Sequence, residues 1–346
     1  MSAFKAIILA GGSGERFWPL STPERPKQFL NVFGNESLIR QSVTRLRGLV
    51  KAKDVYVVTA QALVAATRKE LPEIPKANII GEPMRRDTGA AVALGVGIAS
   101  IRVGKGQKGP LVHNVPKDPN DPILGFFPAD QIVANPAGFR KAVSAAIARA
   151  KKTDAIVTIG IKPTFPETGF GYVNPKAGTF VEKPNETKAK TYLKKGFLWN
   201  AGMFIGRAEV FKAAFAAHAP ELVGLFNTEA QRHRGLGRFY EKLPRISFDY
   251  AVMEHLKNVE VVKGDFGWDD VGSYAAFDKH FRRGKDGNIV LGDVKAVESD
   301  GCTAVAKGAK IALLGVKNLV VVTTKDAVLV VSKNRVAELK KLFAKK

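Results

Sequence analysis

The chain has 346 residues, of which 45% are hydrophobic, and its 54 Lys and Arg against 32 Asp and Glu give a net charge of +22. Its single cysteine, Cys302, excludes an intramolecular disulfide and a thiolate metal cluster, which is typical of a reducing cytoplasm. No apolar run approaches the roughly 20 residues that cross a bilayer, so composition predicts a soluble, cytoplasmic protein without a membrane partner.

The excess of positive charge makes nucleic-acid binding a competing class of function, because a basic surface attracts polyanions. The basic clusters are spread along the chain, at 51–53, 105–108, 151–152, 188–195, 282–285 and 340–346. They lack the interleaved aromatic residues on which nucleobases stack. We therefore expect no nucleic-acid partner and interpret the charge as a solvated surface that also attracts anionic substrates.

Short apolar runs alternate with helix-like stretches through the first 160 residues. Strands are predicted at 6–9, 55–59, 77–80, 125–127 and 155–160, and helices at 37–49, 62–70, 89–101 and 136–151. Strands separated by helices of about ten or more residues predict right-handed βαβ units and a mostly parallel sheet. The sequence therefore predicts an α/β, Rossmann-like nucleotide-binding fold whose ligand site lies beyond the carboxyl ends of the strands.

Two later stretches have a different composition. Residues 104–122 are rich in Gly, Pro, Lys and Asp and predict an exposed, mobile loop. After residue 283, short β-rich segments are punctuated by Gly, Asp and Asn, and a helix is predicted at 334–343. We predict two domains, a nucleotide-binding domain at 1–283 and a small β domain with a terminal helix at 284–346.

The stretch LAGGSGERFWPLSTPERPKQF, residues 9–29, follows the first predicted strand. Its glycines allow main-chain N–H groups to approach a phosphate, and its cations add positive charge. The dinucleotide fingerprint is excluded because Phe17 occupies its third glycine position, and the lysine-containing ATP loop pattern is absent. This is either a different nucleotide loop or a flexible turn.

Carboxylates occur at two places where a metal could be bound. Asp130 follows the apolar run FFPA, and Asp269 and Asp270 lie in the segment FGWDDVGSY. A carboxylate at a strand end is commonly a helix cap, but two from distant segments can share a Mg²⁺ together with phosphate oxygens. Both interpretations remain open from the residues alone.

Three further segments carry polar residues suited to a sugar or a base. GIKPTFPETGFGYV, residues 160–173, is either a structured turn or a surface that offers Glu167 and bare backbone at Gly169 and Gly171. In FVEKP, a continuing strand would place Glu182 and Lys183 on opposite sides. Asn200 lies inside the apolar segment LWNAGMF, where it needs a backbone or ligand partner.

Taken in order, these segments resemble the mannose-1-phosphate guanylyltransferase family, also called GDP-mannose pyrophosphorylases, a branch of the sugar nucleotidyltransferases. The similar segments are AIILAGGSGERFWPLSTPERPKQF, EPMRRDTGAAVAL, FFPAD, GIKPTFPETGFGYV, FVEKP, LWNAGMF, FDYAVMEH and WDDVGSY. The resemblance runs from about residue 4 to 280. A looser similarity to the family's short left-handed β-helix follows it.

The resemblance implies a role for each matched position. The nucleotide-binding residues are Leu9, Ala10, Gly11, Gly12, Gly14, Glu82, Pro83, Asp87 and Thr88, the catalytic cations are Arg16 and Lys27, and the metal ligands for Mg²⁺ are Asp130 and Asp270. The sugar-phosphate-binding residues are Glu167, Gly171, Glu182, Lys183 and Asn200. The family often has Arg-Asn-Thr-Ala where this chain has Arg86-Asp87-Thr88-Gly89, which leaves base selectivity open.

The reaction implied by the resemblance is transfer of GMP from GTP to mannose 1-phosphate, with loss of pyrophosphate. The sugar phosphate is already ionised near neutral pH, so no general base is needed. The expected partners are GTP and mannose 1-phosphate, with a homodimer as an open alternative. Two other functions are retained: a nucleotidyltransferase for another hexose 1-phosphate or nucleoside triphosphate, and a basic nucleic-acid-binding protein on the same scaffold.

Overall fold

The computed structural model describes residues 3–12, 14–100, 118, 120–226 and 236–343. The loop predicted at 104–122 therefore lies almost entirely outside the described residues. The chain forms two compact units. The first unit comprises Met1–Gly11, Arg40–Ala129 and Val133–Trp268, and the second comprises Gly12–Ile39, Asp130–Ile132 and Asp269–Lys346.

The strands up to Asp269 are β1 (Phe4–Ala10), β2 (Val55–Ala60), β3 (Ile79–Glu82), β4 (Ile123–Pro128), β5 (Ile132–Val133), β6 (Val157–Ile161), β7 (Tyr172–Asn174), β8 (Thr179–Val181), β9 (Leu198–Arg207), β10 (Glu260–Gly264) and β11 (Trp268–Asp269). The α-helices are α1 (Leu38–Thr44), α2 (Val64–Glu70), α3 (Asp87–Ala99), α4 (Pro136–Ala150), α5 (Glu186–Lys194), α6 (Ala208–His218), α7 (Leu236–Lys242), α8 (Phe248–Ala251) and α9 (Phe277–His280). Short 3₁₀ helices include Glu15–Phe17 and Lys27–Phe29.

A nine-stranded mixed sheet organises the described part of the first unit. Its main order is β10-β6-β9-β4-β1-β2-β3, with β7 and β8 attached beside β9. Strands β3, β2, β1 and β4 run parallel, whereas β9 is antiparallel to both β4 and β6. The segments after β1, β3 and β4 therefore follow the carboxyl ends of parallel strands, where α/β folds bind ligands.

Helix α3 lies in the core of the first unit, and most of its residues are buried. A helix whose residues are apolar on every side is normally buried by other elements on every side. Its small residues allow a close approach to the sheet, because a Cβ at Gly95 would lie 2.8 Å from the ring of Phe126. This packing holds the start of the helix, at Asp87, beside the end of β3.

The β-rich residues of the second unit form a coil of parallel strands. They are β12 (Ile289–Leu291), β13 (Val294–Val297), β14 (Thr303–Ala306), β15 (Ile311–Leu314), β16 (Leu319–Thr323) and β17 (Val328–Ser332). Strands β12, β14 and β16 are parallel neighbours, as are β13 and β15, while β17 closes the coil antiparallel to β16. A 3₁₀ helix at Lys333–Leu342 occupies the place of the predicted terminal helix.

One hydrophobic core runs through the second unit. It joins residues from the stretch that follows β1, here called the glycine-rich loop (11–30), from the segment after Asp270, and from the C-terminal residues. These are Phe17, Leu30, Val271, Tyr274, Phe277, Val305, Val320, Val322, Val336 and Leu339. The loop that carries the predicted phosphate-binding residues is therefore packed against the C-terminal β domain.

The predicted fold class, an α/β Rossmann-like mixed sheet with a small C-terminal β-helix, is confirmed. The first helix is shorter than predicted, since α1 ends at Thr44 and the chain continues in turns. Within the described ranges, no helix combines the length and apolar character needed to cross a membrane.

Candidate active site

The glycine-rich loop leaves β1 at Ala10 and depends on glycine conformations at two positions. Gly12 and Gly14 have φ angles of 106° and 65°, in the region that side chains rarely adopt. A Cβ at Gly14 would lie 2.6 Å from the backbone nitrogen of Lys27. Gly14 therefore allows the later part of the loop to fold back, which brings Lys27 to the glycines.

The ammonium of Lys27 joins two acidic segments of the second unit. Lys27 Nζ donates to Asp130 Oδ2 at 2.9 Å and to the backbone oxygen of Asp270 at 2.6 Å. The lysine is buried, with 7% of its surface exposed, whereas the Asp130 side chain is about one-third exposed, at 32%. A buried ammonium needs such partners, because an unpaired buried charge is strongly unfavourable.

The neighbouring aspartates Asp269 and Asp270 serve different purposes in the structure. Asp269 accepts from the amide of Val271 at 2.7 Å and lies 3.3 Å from His280 Nε2 and 3.4 Å from Lys279 Nζ. Although burial opposes it, these contacts lower the pKa of Asp269 to about 2. The Asp269 carboxylate is therefore used in contacts within the protein.

Asp270 instead lies close enough to Asp130 for their charges to interact. Burial raises its pKa above the ordinary value, the charge of Asp130 adds to the rise, and Lys27 and Arg16 oppose it. Two carboxylates from distant segments beside one ammonium form a donor set that fits a divalent ion. In the described ranges, no group of three or more His, Cys, Asp or Glu forms a complete metal cage. In proteins generally, Mg²⁺ is held by one or two carboxylates and keeps waters or phosphate oxygens as its other ligands.

Arg16 lies in the 3₁₀ helix that follows Gly14, and it is exposed. Its guanidinium passes beside Gly272, where a Cβ would lie 3.4 Å from Arg16 Nη1. The second unit thus gathers Arg16, Lys27, Asp130 and Asp270, the predicted catalytic cations and metal ligands.

In the first unit, the segment predicted to bind the base lies at the end of β3. Glu82 is the last residue of that strand and accepts a hydrogen bond from the hydroxyl of Tyr240 at 3.2 Å. Burial raises the pKa of Glu82 to about 7, with the charge of Asp87 adding to the rise and the tyrosine opposing it. Pro83 follows Glu82 and is exposed.

Asp87 and Thr88 begin α3, two residues before the helix start predicted at Gly89. Asp87 has a φ of 63°, a left-handed conformation that Asn and Asp tolerate better than most residues. Thr88 Oγ1 accepts from the amide of Phe248 at 2.9 Å. The departure at Gly89 has a steric cause, since a Cβ there would lie 2.7 Å from the backbone oxygen of Ile246.

The structure corrects the expectation that Glu182 and Lys183 point to opposite sides. Strand β8 ends at Val181, and Lys183 has a φ of 42°, so the alternation of a strand does not extend to these residues. Lys183 Nζ lies 2.8 Å from Glu182 Oε1. The two charges therefore form an ion pair, in which the Glu182 side chain is 8% exposed and the lysine 51% exposed.

Gly171 and Glu182, which the resemblance assigns to sugar binding, lie side by side. A Cβ at Gly171 would lie 2.6 Å from Glu182 Oε2, so only glycine admits the carboxylate here. Glu182 is also fixed through its backbone, since its amide donates to Glu254 Oε1 at 2.6 Å. Burial raises the pKa of Glu182, and Lys183 opposes the rise.

Asn200 is buried and has partners within the protein. Its Oδ1 accepts from Thr158 Oγ1 at 2.7 Å and from the amide of Gly202 at 3.1 Å, while its Nδ2 donates to Asp249 Oδ1 at 3.1 Å. Burial raises the pKa of Asp249 to about 7, and the charge of Glu182 adds to the rise. Asn200 thus orients an acidic side chain close to Glu182.

Glu167 is used mainly within its own loop. Its Oε1 accepts from the amide of Gly169 at 2.8 Å, and its backbone oxygen accepts from Tyr172 Oη at 2.8 Å. This agrees with the structured turn that the prolines and glycines predict. The role of Glu167 in sugar binding stays a prediction.

Sequence reasoning missed three polar residues beside the predicted ones: Tyr240, Asp249 and Glu254. Asp249 and Glu254 both lie in FDYAVMEH, one of the segments that resemble the family. Two acids in a matched segment were the available signal. Tyr240 gave no such signal, because it reaches Glu82 across 158 positions of the chain.

Comparisons with known proteins give the same assignment over nearly the whole chain. The family model described as Nucleotidyl transferase matches residues 5–285, and one described as MannoseP isomerase/GMP-like beta-helix domain matches 292–345. A mannose-1-phosphate guanylyltransferase of Klebsiella pneumoniae is 33% identical over 97% of this chain and 72% of its own length. The xanthan biosynthesis protein XanB of Xanthomonas campestris is 35% identical over 99% of this chain and 73% of its own length.

Among solved structures, one described as mannose-1-phosphate geranyltransferase from Thermus thermophilus superposes with a TM-score of 0.84. It is 34% identical, and the match covers 99% of this chain and 98% of that one. The similarity thus extends through both the sheet and the C-terminal coil. The chain belongs to the mannose-1-phosphate guanylyltransferase family, and it is an enzyme of the nucleotidyltransferase class.

Proposed function

We propose that the protein transfers the GMP group of GTP to α-D-mannose 1-phosphate, forming GDP-mannose and releasing pyrophosphate. The observation that carries the proposal is similarity over 97% of the chain to relatives named mannose-1-phosphate guanylyltransferase. The grouping of Lys27, Asp130 and Asp270 supports it, because it supplies the charges that this chemistry needs.

The reaction joins two anions, so repulsion must be cancelled. An oxygen of the sugar phosphate forms a bond to the α-phosphorus of GTP, and the bond from that phosphorus to the bridging oxygen breaks as pyrophosphate leaves. Arg16 and Lys27 neutralise the phosphates and hold them in line for attack. Asp130 and Asp270 would hold Mg²⁺, which when bound stabilises the charge of the phosphate oxygens.

On the nucleotide side, Leu9, Ala10, Gly11, Gly12 and Gly14 present backbone to the triphosphate. The segment of Glu82, Pro83, Asp87 and Thr88 binds base and ribose. Guanine carries N1–H and N2–H donors on one edge, and the ionised carboxylate of Glu82 can accept from both. Its raised pKa makes this contact dependent on pH near neutrality.

On the sugar side, Glu182 and Asn200 provide the polar contacts, and Gly171 gives room for the sugar beside the carboxylate. Lys183 binds the sugar phosphate after exchanging its partner Glu182 for the incoming anion. Glu167 supports sugar binding by fixing the loop of residues 167–172 through its hydrogen bonds to Gly169 and Tyr172. Asp249, oriented by Asn200, is an additional hydrogen-bonding group for sugar hydroxyls.

The proposal also covers the domain organisation, the cellular location and the assembly of the protein. A catalytic domain at 1–283 and a C-terminal β domain at 284–346 are supported by family matches at 5–285 and 292–345. The protein works in the cytoplasm on GTP and mannose 1-phosphate, without nucleic acid. A homodimer is the proposed assembly.

The experiment that tests the function is a panel of nucleoside triphosphates against sugar 1-phosphates, scored by pyrophosphate release. GTP with mannose 1-phosphate should give the highest kcat/KM. A higher value for another pair would replace the substrate assignment. Binding to DNA or RNA that persists near physiological salt, without pyrophosphate release from any pair, would replace the enzymatic one.

A further inference from the structure

We propose that Tyr274 is a positioning residue for this reaction, which tethers the loop carrying Arg16 to the segment carrying Asp270. The inference rests on the proposed function for its kinetic consequences. Its structural part stands on contacts within the second unit. Tyr274 is four positions beyond Asp270, and its side chain is completely buried, at 0% exposure.

The hydroxyl of Tyr274 is bonded to the loop. Tyr274 Oη lies 2.9 Å from the backbone oxygen of Phe17 and 3.2 Å from that of Trp18, and its proton is shared between them. These are the two residues that directly follow Arg16 in the chain. A rotation of the backbone at Arg16 would therefore break a buried hydrogen bond.

The ring of Tyr274 and its hydroxyl make separable contributions. The ring packs against those of Phe17 at 5.3 Å and Phe277 at 5.4 Å between centroids. Phe17 O also accepts from the amide of Ser21 at 3.0 Å, so it keeps a partner without the tyrosine. Replacing Tyr274 by phenylalanine therefore retains the packing and removes the tether.

The other face of the same segment also touches Arg16. Gly272 lies between Asp270 and Tyr274, and a Cβ built there meets only the guanidinium of Arg16 within 4 Å, among the residues the structure describes. The segment 270–274 thus contacts the loop at the backbone behind Arg16 and at its side chain. This arrangement fixes Arg16 relative to Asp270, and both residues act on phosphates in the proposed reaction.

The test is Tyr274→Phe, assayed for pyrophosphate release with GTP and mannose 1-phosphate. We expect kcat to fall by about tenfold or more, because small displacements of positioned groups are costly, while both KM values stay within about threefold. The matched control is Thr323→Val, which removes another side-chain hydrogen bond of the second unit, from Thr323 Oγ1 to Ala309 O at 2.6 Å. That variant should lose stability and keep kcat.

A double-mutant cycle separates positioning from general support. In an Arg16→Gln background, Tyr274→Phe should cost clearly less than it does alone, since both changes act through one guanidinium. Multiplicative losses, or an unchanged kcat in folded Tyr274→Phe, would overturn the proposal. Gly272→Val, which displaces the same guanidinium from the surface side, should also lower kcat, and its effect should likewise shrink with Arg16→Gln.

A readout without catalysis distinguishes this proposal from the proposed function. Amide hydrogen exchange at residues 14–21 should be faster in Tyr274→Phe and unchanged in Thr323→Val. If wild-type protein releases no pyrophosphate from any substrate pair, the proposed function is wrong. Faster amide exchange in Tyr274→Phe would then still support the tether. If exchange is the same in both variants, the tether fails whatever the activity.

Discussion

Lys27 Nζ and Asp130 Oδ2 lie 2.9 Å apart, although 103 positions separate the two residues in the chain. The same ammonium donates to the backbone oxygen of Asp270, so it joins the two acidic segments. It keeps two nearby carboxylates compatible before any substrate is bound. In the proposed reaction, the same ammonium neutralises part of the charge of the phosphates.

Lys27→Ala should lower kcat by about 10² or more, the effect expected for loss of one preorganised electrostatic contact. The matched control is Lys333→Ala. Lys333 Nζ also joins a carboxylate and a backbone oxygen in the second unit, at 2.9 Å from Asp278 Oδ1 and 3.0 Å from Gly301 O. That change should cost stability and leave kcat near the wild-type value. Near-normal turnover by folded Lys27→Ala would exclude the assigned role.

Asp130→Asn and Asp270→Asn should each raise the Mg²⁺ concentration needed for half-maximal activity. Because both would act through one ion, the double variant should lose less than the product of the single losses. Titration calorimetry with Mn²⁺ gives a readout independent of turnover. Asp269→Asn is the control, since Asp269 is held by Val271, Lys279 and His280, and it should leave metal affinity unchanged. Strictly multiplicative losses would assign the two aspartates to separate tasks.

Glu82→Gln should stabilise the protein more at high pH than at low pH. The folded-state pKa of Glu82 is raised to about 7, so between its ordinary pKa and 7 the folded state binds more protons than the unfolded state. Stability from this group is therefore present at low pH and is lost as pH rises through 7. The change in unfolding free energy from Glu82→Gln, measured in urea at about pH 4 and pH 8, should differ by up to about 3 kcal/mol.

The control for this pH effect is Glu338→Gln, since Glu338 is paired with Arg335 and Lys341 and has a lowered pKa. Its effect should run in the opposite direction or be small. An effect of Glu82→Gln that does not vary with pH would show that the folded protein does not raise the pKa of this carboxyl.

Asn200→Ala and Glu182→Gln should raise KM for mannose 1-phosphate and narrow its preference over glucose 1-phosphate. The two sugars differ at one hydroxyl, and a polar group left unpaired discriminates such a change better than an apolar surface. KM for GTP should stay within about threefold. Since Asn200 also orients Asp249, Asn200→Ala should have the larger effect on the mannose to glucose ratio.

Asn288→Ala is the matched control for Asn200→Ala. Asn288 is also buried, and both ends of its side-chain amide form hydrogen bonds. Its Nδ2 donates to Ser299 O at 2.7 Å, and its Oδ1 accepts from the backbone amide of Cys302 at 2.7 Å. It should lower the melting temperature and leave the sugar preference intact. If Asn200→Ala behaves in the same way, its amide serves only the stability of the first unit.

The fold and the contents of the site differ in how far sequence could predict them. Apolar runs such as Ala6–Leu9 and the Ala/Gly stretch of α3 carry their periodicity locally, so strands, helices and the parallel sheet follow from them. The position of Lys27 beside the glycines also follows, because Gly14 and Lys27 belong to one short loop.

Side-chain pairs that depend on element ends or on tertiary packing are not predictable in this way. The ion pair of Glu182 with Lys183 depends on where β8 ends and on a left-handed backbone angle. The bonds from Tyr240 to Glu82 and from Asn200 to Asp249 depend on the tertiary packing of α7 and α8. No local pattern encodes which of several acids such packing selects.

The core that contains both Phe17 and Val320 limits how this chain can be divided. Cleavage after residue 283 would remove the C-terminal residues against which the glycine-rich loop packs. The shortened protein would expose the rings of Phe17, Tyr274 and Phe277 to water, and the parallel sheet could persist while the loop lost its fixed shape. Exchanging the β-helix with that of another protein would therefore require compatible residues on both sides of this core.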